Sequence, residues 1–162
     1  MTHSKHDTVV VDTLVGALTK GQAHVTLDVA LKGLPPDLRG VKPKEMPYSI
    51  WQLVEHIRIT QWDILEFSMN PEHQSPKWPD DYWPKEASPE SGKVWNDCLK
   101  KIEEDRDAFT ALLQKPGADL YTPFAYGDGQ NLLREAILLI DHTSYHTGEI
   151  IAVRRMLGAW KR

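Results

Sequence analysis

Apolar residues recur at helical spacing along four long stretches of the chain, and three proline-bearing segments divide them. Pro35, Pro36, Pro43 and Pro47 form one group, Pro71, Pro76, Pro79, Pro84 and Pro89 a second, and Pro116 and Pro123 a third. Inside a helix, proline removes a backbone donor and clashes with the preceding turn. The stretches 8–33, 49–69, 89–114 and 131–157 are therefore the predicted helices. Their ends carry independent signals. Ser49-Ile50-Trp51-Gln52 is a capping box, with Tyr48 placed to staple against Leu53. Ser88 followed by Pro89 reads as an N-cap with proline in the first helical position, and Asn131 reads as the N-cap of the last helix. Gly33 and Gly158 sit where glycine C-caps belong. Strand signals are weak: the β-branched run from Thr8 to Val11 is short and opens a long helical pattern.

Four long helices predict an all-α fold, a four-helix bundle with residues 1–162 as one domain. The link from Pro71 to Ala87 is 17 residues long. Fully extended it reaches roughly 50 Å or more, whereas a 21-residue helix is about 31 Å long. It could therefore run the length of the bundle and leave the second and third helices parallel. The links 34–48 and 115–130 are also long enough, so length alone does not choose the topology. Trp78, Tyr82 and Trp83 in the long link are expected to pack on the bundle, because so much aromatic surface is costly to expose.

Composition narrows the function classes. The net charge is −4 and the cations are scattered, so no electrostatic footprint for nucleic acid exists. No apolar run approaches the ~20 residues that span a bilayer. Met1 to Asp7 is polar and lacks the apolar core of a signal peptide, which points to the cytoplasm. Cys98 is the single cysteine. No internal disulfide is possible, and Cys98 reads as an inert helical residue. A metal site would have to be built chiefly from imidazole and oxygen.

The last predicted helix carries such a pattern. In Asp141-His142-Thr143-Ser144-Tyr145-His146-Thr147-Gly148-Glu149-Ile150, two histidines stand four residues apart. Side chains at that spacing share a helix face, roughly 5–6 Å apart at Cβ, where two imidazoles can hold one metal ion. Advancing 100° per residue, Glu135, Leu138, Leu139, Glu149, Val153, Met156 and Leu157 fall on the same face, within about 60° of His142. This stripe is apolar at both ends and polar in the middle, and buried polar groups need partners. Either the histidines bond to polar groups of neighbouring helices, or they hold a metal. His56 favours the metal. It shares a face of the second helix with Ser49, Leu53, Ile59, Thr60, Asp63 and Phe67, and it would complete a three-histidine site with positions left for water and substrate.

Other residues are candidates around that site. Glu149, three residues past His146, could orient an imidazole, act as a general base or ligate directly. Asp63 and Glu135 are weaker candidates of the same kind. His24 shares a face with Ala17, Leu27 and Leu31, and reads as a hydrogen-bonding partner of the site, a pocket wall or an ordinary boundary histidine. Tyr145, beside His146, is a further pocket candidate. His73 is expected to be solvent-exposed, and His3 and His6 to lie in a loose terminus. Gly148 costs helix stability, and close approach of a neighbouring helix is its expected return. Two familiar site classes are excluded. Glu-x-x-His occurs nowhere, which argues against a carboxylate di-iron bundle. Thr143 stands where the zinc proteases carry glutamate.

Three segments are similar to the DinB-like (YfiT-like) superfamily. DHTSYHTGEIIAVRRMLGAW resembles its last-helix signature, SIWQLVEHIRITQWDILEF its second helix, and GDGQNLLREA the run into its fourth. The resemblance implies a four-helix bundle with a long crossover between helices two and three. It also implies a divalent metal held by His56, His142 and His146. The family often has glutamine at the position of Glu149, which weakens a general base there as a shared mechanism. The superfamily includes thiol-dependent S-transferases and a maleylpyruvate isomerase, and dimers are common in it. The expected function is a metal-dependent enzyme of hydrolase or thiol-dependent transferase or isomerase type, acting on a small molecule, in a homodimer. The ion would be Zn or Ni, with Mn or Fe as alternatives, and a low-molecular-weight thiol is a further candidate cofactor. The alternative is a non-catalytic metal- or ligand-binding bundle. Ligation needs neutral imidazoles, so metal loss is expected below roughly pH 6.

Overall fold

The computed structural model describes residues 5–160, with side chains from residue 7. His3 and the side chain of His6 lie outside the described residues. The described chain is helical and contains no strand. Its helices are α1 (Lys5–Lys20), α2 (Leu27–Leu31), α3 (Ile50–Met69), α4 (Gly92–Gln114) and α5 (Leu132–Met156), with 3-10 turns at Pro36–Leu38 and Asp80–Tyr82. Among the described residues no helix is long and apolar enough to cross a membrane.

Several boundaries follow the sequence signals. Ser49 Oγ accepts from Gln52 N (3.2 Å) while Gln52 Oε1 accepts from Ser49 N (3.1 Å), which closes the capping box of α3. Asn131 Oδ1 accepts from Arg134 N at the start of α5 (2.9 Å). Each such cap is worth about 1 kcal/mol. Gly33 and Gly158 both take φ +68°.

Two boundaries differ. The predicted first helix, 8–33, is two helices: Gly21 turns the chain at φ +67°, and the Thr26 side chain caps α2 by accepting from Val29 N. α1 buries Val11 and Leu14 while α2 buries Leu27, Ala30 and Leu31, which one continuous helix would place on nearly opposite faces. The third predicted helix starts later, at Gly92, and its N-cap is Ser91 rather than Ser88. Ser88 lies instead against Gly40, where an added Cβ would fall 1.5 Å from Ser88 Oγ. Only glycine lets these two links touch.

The helices pack in a ring. α3 lies against α4 and α5, and α1 lies against the same two helices from the other side. Trp51 meets Trp95 near the start of α3 and α4 (ring centroids 6.3 Å apart), and ten residues along α3 Gln61 Nε2 donates to Ile102 O (2.5 Å). Contacts rising together in number mean that α3 and α4 run in the same direction. The chain between them, 70–91, returns along the bundle. α5 runs against α3, with Ile150 and Val153 beside Ile50 to Ile57 in one apolar cluster, and Leu132, Ala136 and Leu139 beside Ile64 and Leu65 in a second. At one end buried Arg154 of α5 secures α2, donating to the carbonyl oxygens of Ala30 and Lys32 as well as to Ala159 O.

Candidate metal centre

The site lies between the two apolar clusters. On α3 the first cluster ends at Ile57 and the second begins at Ile64; on α5 the second ends at Leu139 and the first resumes at Ile150. Thr60 and Gln61 occupy the gap on α3, His142, His146 and Thr147 that on α5, and His56 joins this polar belt from beside Ile57 at the end of the first cluster. His56 is 1% exposed and His146 7%. Helical phase puts these side chains inside, and apolar packing above and below fixes the two helices that carry them.

Three imidazoles converge there. Each of His56, His142 and His146 offers a nitrogen, and these nitrogens lie within 4.8 Å of one another, so the group could hold a metal ion. His56 Nε2 and His142 Nε2 are 3.0 Å apart. Two nitrogens at ordinary Zn–N distance from a tetrahedral ion are about 3.3 Å apart, so only a small adjustment separates this pair from ligand spacing. The other nitrogens set the ring orientations. His56 Nδ1 donates to Tyr82 O (2.8 Å), and His146 Nδ1 donates to the Glu149 carboxylate (2.6 Å). Both rings therefore present Nε2, and a partner behind a ligand histidine is what fixes its tautomer. His142 Nδ1 is buried and has no hydrogen-bond partner among the described residues.

The protonation states also suit ligation. Burial, chiefly, lowers His56 to about 4; the Tyr82 carbonyl opposes this and the nearby His146 ring adds to it. Burial also dominates at His142, lowered to about 3, with His146 and His56 contributing. Both are neutral at pH 7 and keep a lone pair available. Aromatic rings hold them in place. Trp83 stacks on His56 (3.8 Å between centroids, 6° between planes) and Tyr48 stacks on the other face of Trp83 (3.7 Å).

The remaining candidates separate. Glu149 faces the site through its bond to His146. Tyr145 sets its ring edge-on to His146 at 4.9 Å and is 65% exposed, at the solvent side of the seam. Asp63 is one step removed: its Oδ2 accepts from Tyr82 OH (2.6 Å) and its Oδ1 faces His73 Nε2 (2.7 Å). Glu135 is buried two turns before His142 and pairs with Arg134 (2.6 Å); burial raises its pKa. His24 is directed elsewhere. Its Nδ1 donates to Val25 O (2.8 Å) and its Nε2 meets Ser144 Oγ (3.2 Å), in the wall of a separate cavity shared with Gln61 and Arg106.

Three expectations are corrected. The His73 side chain is only 7% exposed, because Asp63 and the edge contact with Trp62 hold it. Trp78 is 67% exposed while Tyr82 and Trp83 pack inward. A Cβ on Gly148 would meet nothing within 4 Å, so no neighbouring helix approaches there. Cys98 is buried, with its thiol pushed up by burial and by Glu55, which disfavours the reactive thiolate. Composition and periodicity gave no sign of the roles of Tyr82 and Trp83. The one available signal was the spacing of Ser49, Gln52, His56 and Asp63 along a single face of α3.

Fold and site together define a helical protein in which three histidines, two buried and one half-buried, converge between α3 and α5. The family model of the DinB superfamily matches residues 21–150, a span that includes all three histidines and Glu149, and the chain belongs to that superfamily. Comparison with curated proteins and with solved structures gives no match.

Proposed function

We propose that this protein is a divalent-metal-dependent enzyme acting on a small molecule, with His56, His142 and His146 as ligands. The observation that carries the reading is the convergence of three imidazoles, two of which have their Nδ1 atoms committed to Tyr82 O and Glu149. A bound divalent ion would supply a Lewis acid able to make water or a thiol nucleophilic near neutral pH. Three imidazole nitrogens suit Zn or Ni best, with Mn or Fe as alternatives. Glu149 orients His146, and a carboxylate already committed to that bond serves better as a positioning group than as a free general base. Trp83 of the link lies flat on His56, exposed Tyr145 stands edge-on to His146, and His142 is half-buried. Cys98 belongs to the apolar cluster that contains Trp51 and Trp95, so a reacting thiol would come from a cofactor. Hydrolysis and thiol transfer both fit.

Metal analysis of the purified protein, with His142→Ala as control, tests the reading. We expect about one divalent ion per chain, lost in the variant; metal-free wild-type protein at neutral pH overturns it. A second reading, a non-catalytic bundle stabilised by its metal, draws on the depth of His56 and His146. It predicts a large drop in melting temperature on chelation and no turnover across ester, amide and thiol-adduct substrates.

A further inference from the structure

Four polar side chains of α3 reach toward the link that follows that helix. Ser49, Gln52, His56 and Asp63 are spaced three, four and seven residues apart and so share one face. Ser49 Oγ donates to Ala87 O (2.6 Å), Gln52 Nε2 to Pro84 O (3.2 Å) and His56 Nδ1 to Tyr82 O (2.8 Å). Asp63 ends the row, holding Tyr82 OH and His73 Nε2 on its two oxygens. Link numbers fall as helix numbers rise, so the link lies antiparallel along α3. One of its four fastenings is a proposed metal ligand.

We propose that docking of the link over residues 73–87 is thermodynamically coupled to metal loading, with Asp63 as the positioning residue. The inference rests on the metal reading of the three histidines. Its physical basis is that His56 Nδ1–H and Nε2 belong to one ring. A cation at Nε2 withdraws electron density and strengthens the Nδ1–H donor, while a carbonyl on Nδ1–H makes Nε2 more basic. Each event favours the other, and the coupling is reciprocal by linkage. Asp63 makes none of the hydrogen bonds to the three histidines. It acts through Tyr82, whose hydroxyl it anchors and whose carbonyl holds His56. His73 is the second arm of the same clamp and fixes the start of the link. Trp83 follows Tyr82 and lies flat on His56, so a link that lifts off also releases the face of the ring.

The test uses zinc as probe on the full chain, with Tyr82→Phe and Asp63→Asn. Tyr82→Phe removes one hydroxyl and leaves the backbone carbonyl in place. Zinc affinity is read by competition with a chromophoric chelator, and backbone hydrogen exchange of 73–87 is read with and without zinc. In wild-type protein zinc should slow exchange across 73–87. Both variants should bind zinc roughly tenfold more weakly, with zinc-dependent protection of the link reduced, while exchange in the middle of α4 stays unchanged. A merely structural role would lower the melting temperature of the chelated protein without moving zinc affinity. Variant affinities within twofold of wild type, or exchange of 73–87 indifferent to zinc, overturn the coupling and leave the metal reading standing. Absence of zinc binding by the wild type overturns both. The exchange measurement on wild-type protein decides the matter even if a variant fails to fold.

Discussion

Removing the Glu149 carboxylate should weaken metal binding in two distinguishable steps. Glu149 Oε2 lies 2.6 Å from His146 Nδ1, and the two side chains are 23% and 8% exposed. The bond is thus short, charge-assisted and largely screened from water. Loss of such a partner behind a ligand histidine costs about 10- to 100-fold in metal affinity, or about 1.4–2.8 kcal/mol at roughly 1.4 kcal/mol per tenfold. Glu149→Ala loses both the acceptor and the charge and should fall near the upper end. Glu149→Gln keeps an oxygen that can accept from Nδ1–H. Charged hydrogen bonds are roughly twice as strong as neutral ones, so Gln should retain about half of the free energy and fall near tenfold. The assay is zinc competition against a chromophoric chelator at pH 7.5, with melts of the chelated proteins to check that each variant folds. An Ala variant within twofold of wild type refutes the orienting role. Gln and Ala variants equally weak would show that charge alone matters. Normal zinc affinity with abolished turnover in Glu149→Gln would instead make Glu149 a group that handles the substrate's proton.

Two further outcomes test the packing and the protonation states. Because burial lowers His56 to about 4 and His142 to about 3, the unfolded chain takes up protons below about pH 6.5 while the folded chain does not. Stability of the chelated protein from these groups should be complete above pH 6.5 and decline as pH falls toward 4, by at most about 1.4 kcal/mol per pH unit for each ring. Denaturation curves from pH 7.5 to 4.5 measure this, and a slope unchanged in His142→Leu would contradict it. Gly148→Ala should stabilise the protein by about 0.8–1 kcal/mol, since the added methyl meets open space; a lower melting temperature would mean that this face of α5 is packed against something in solution.

Much of the fold was readable because proline and capping chemistry act locally. The Ser49 box and the Asn131 cap need only a few residues of context, and both ends fall where the chain announces them. The break at Gly21 was missed because no proline marks it. α1 and α2 serve different apolar clusters, and on one continuous helix Leu27, Ala30 and Leu31 would lie almost opposite Val11 and Leu14, so the apolar phase itself carried the signal. Ser88 misled for a tertiary reason: a serine before a proline has the chemistry of a cap, but its position against Gly40 is set by contact between two links far apart in sequence.

The same division explains the site. The three histidines were legible because each interrupts an apolar stripe, and periodicity reports which face a residue occupies. What orients them was not legible, because the partner of His56 is a backbone carbonyl, and a carbonyl has no sequence signature. Tyr82 could have been any residue as far as its carbonyl is concerned. Its identity matters through the hydroxyl bound to Asp63, which in turn explains why His73 is buried in a polar link. Asp63 thus looked like a marginal member of the metal face when read by phase alone. Its importance comes from the segment it holds down, and through that segment the geometry of one imidazole depends on residues that never touch it. A three-histidine cluster built this way inherits the stability of its cover, so the affinity of the site and the order of the link are properties to be measured together.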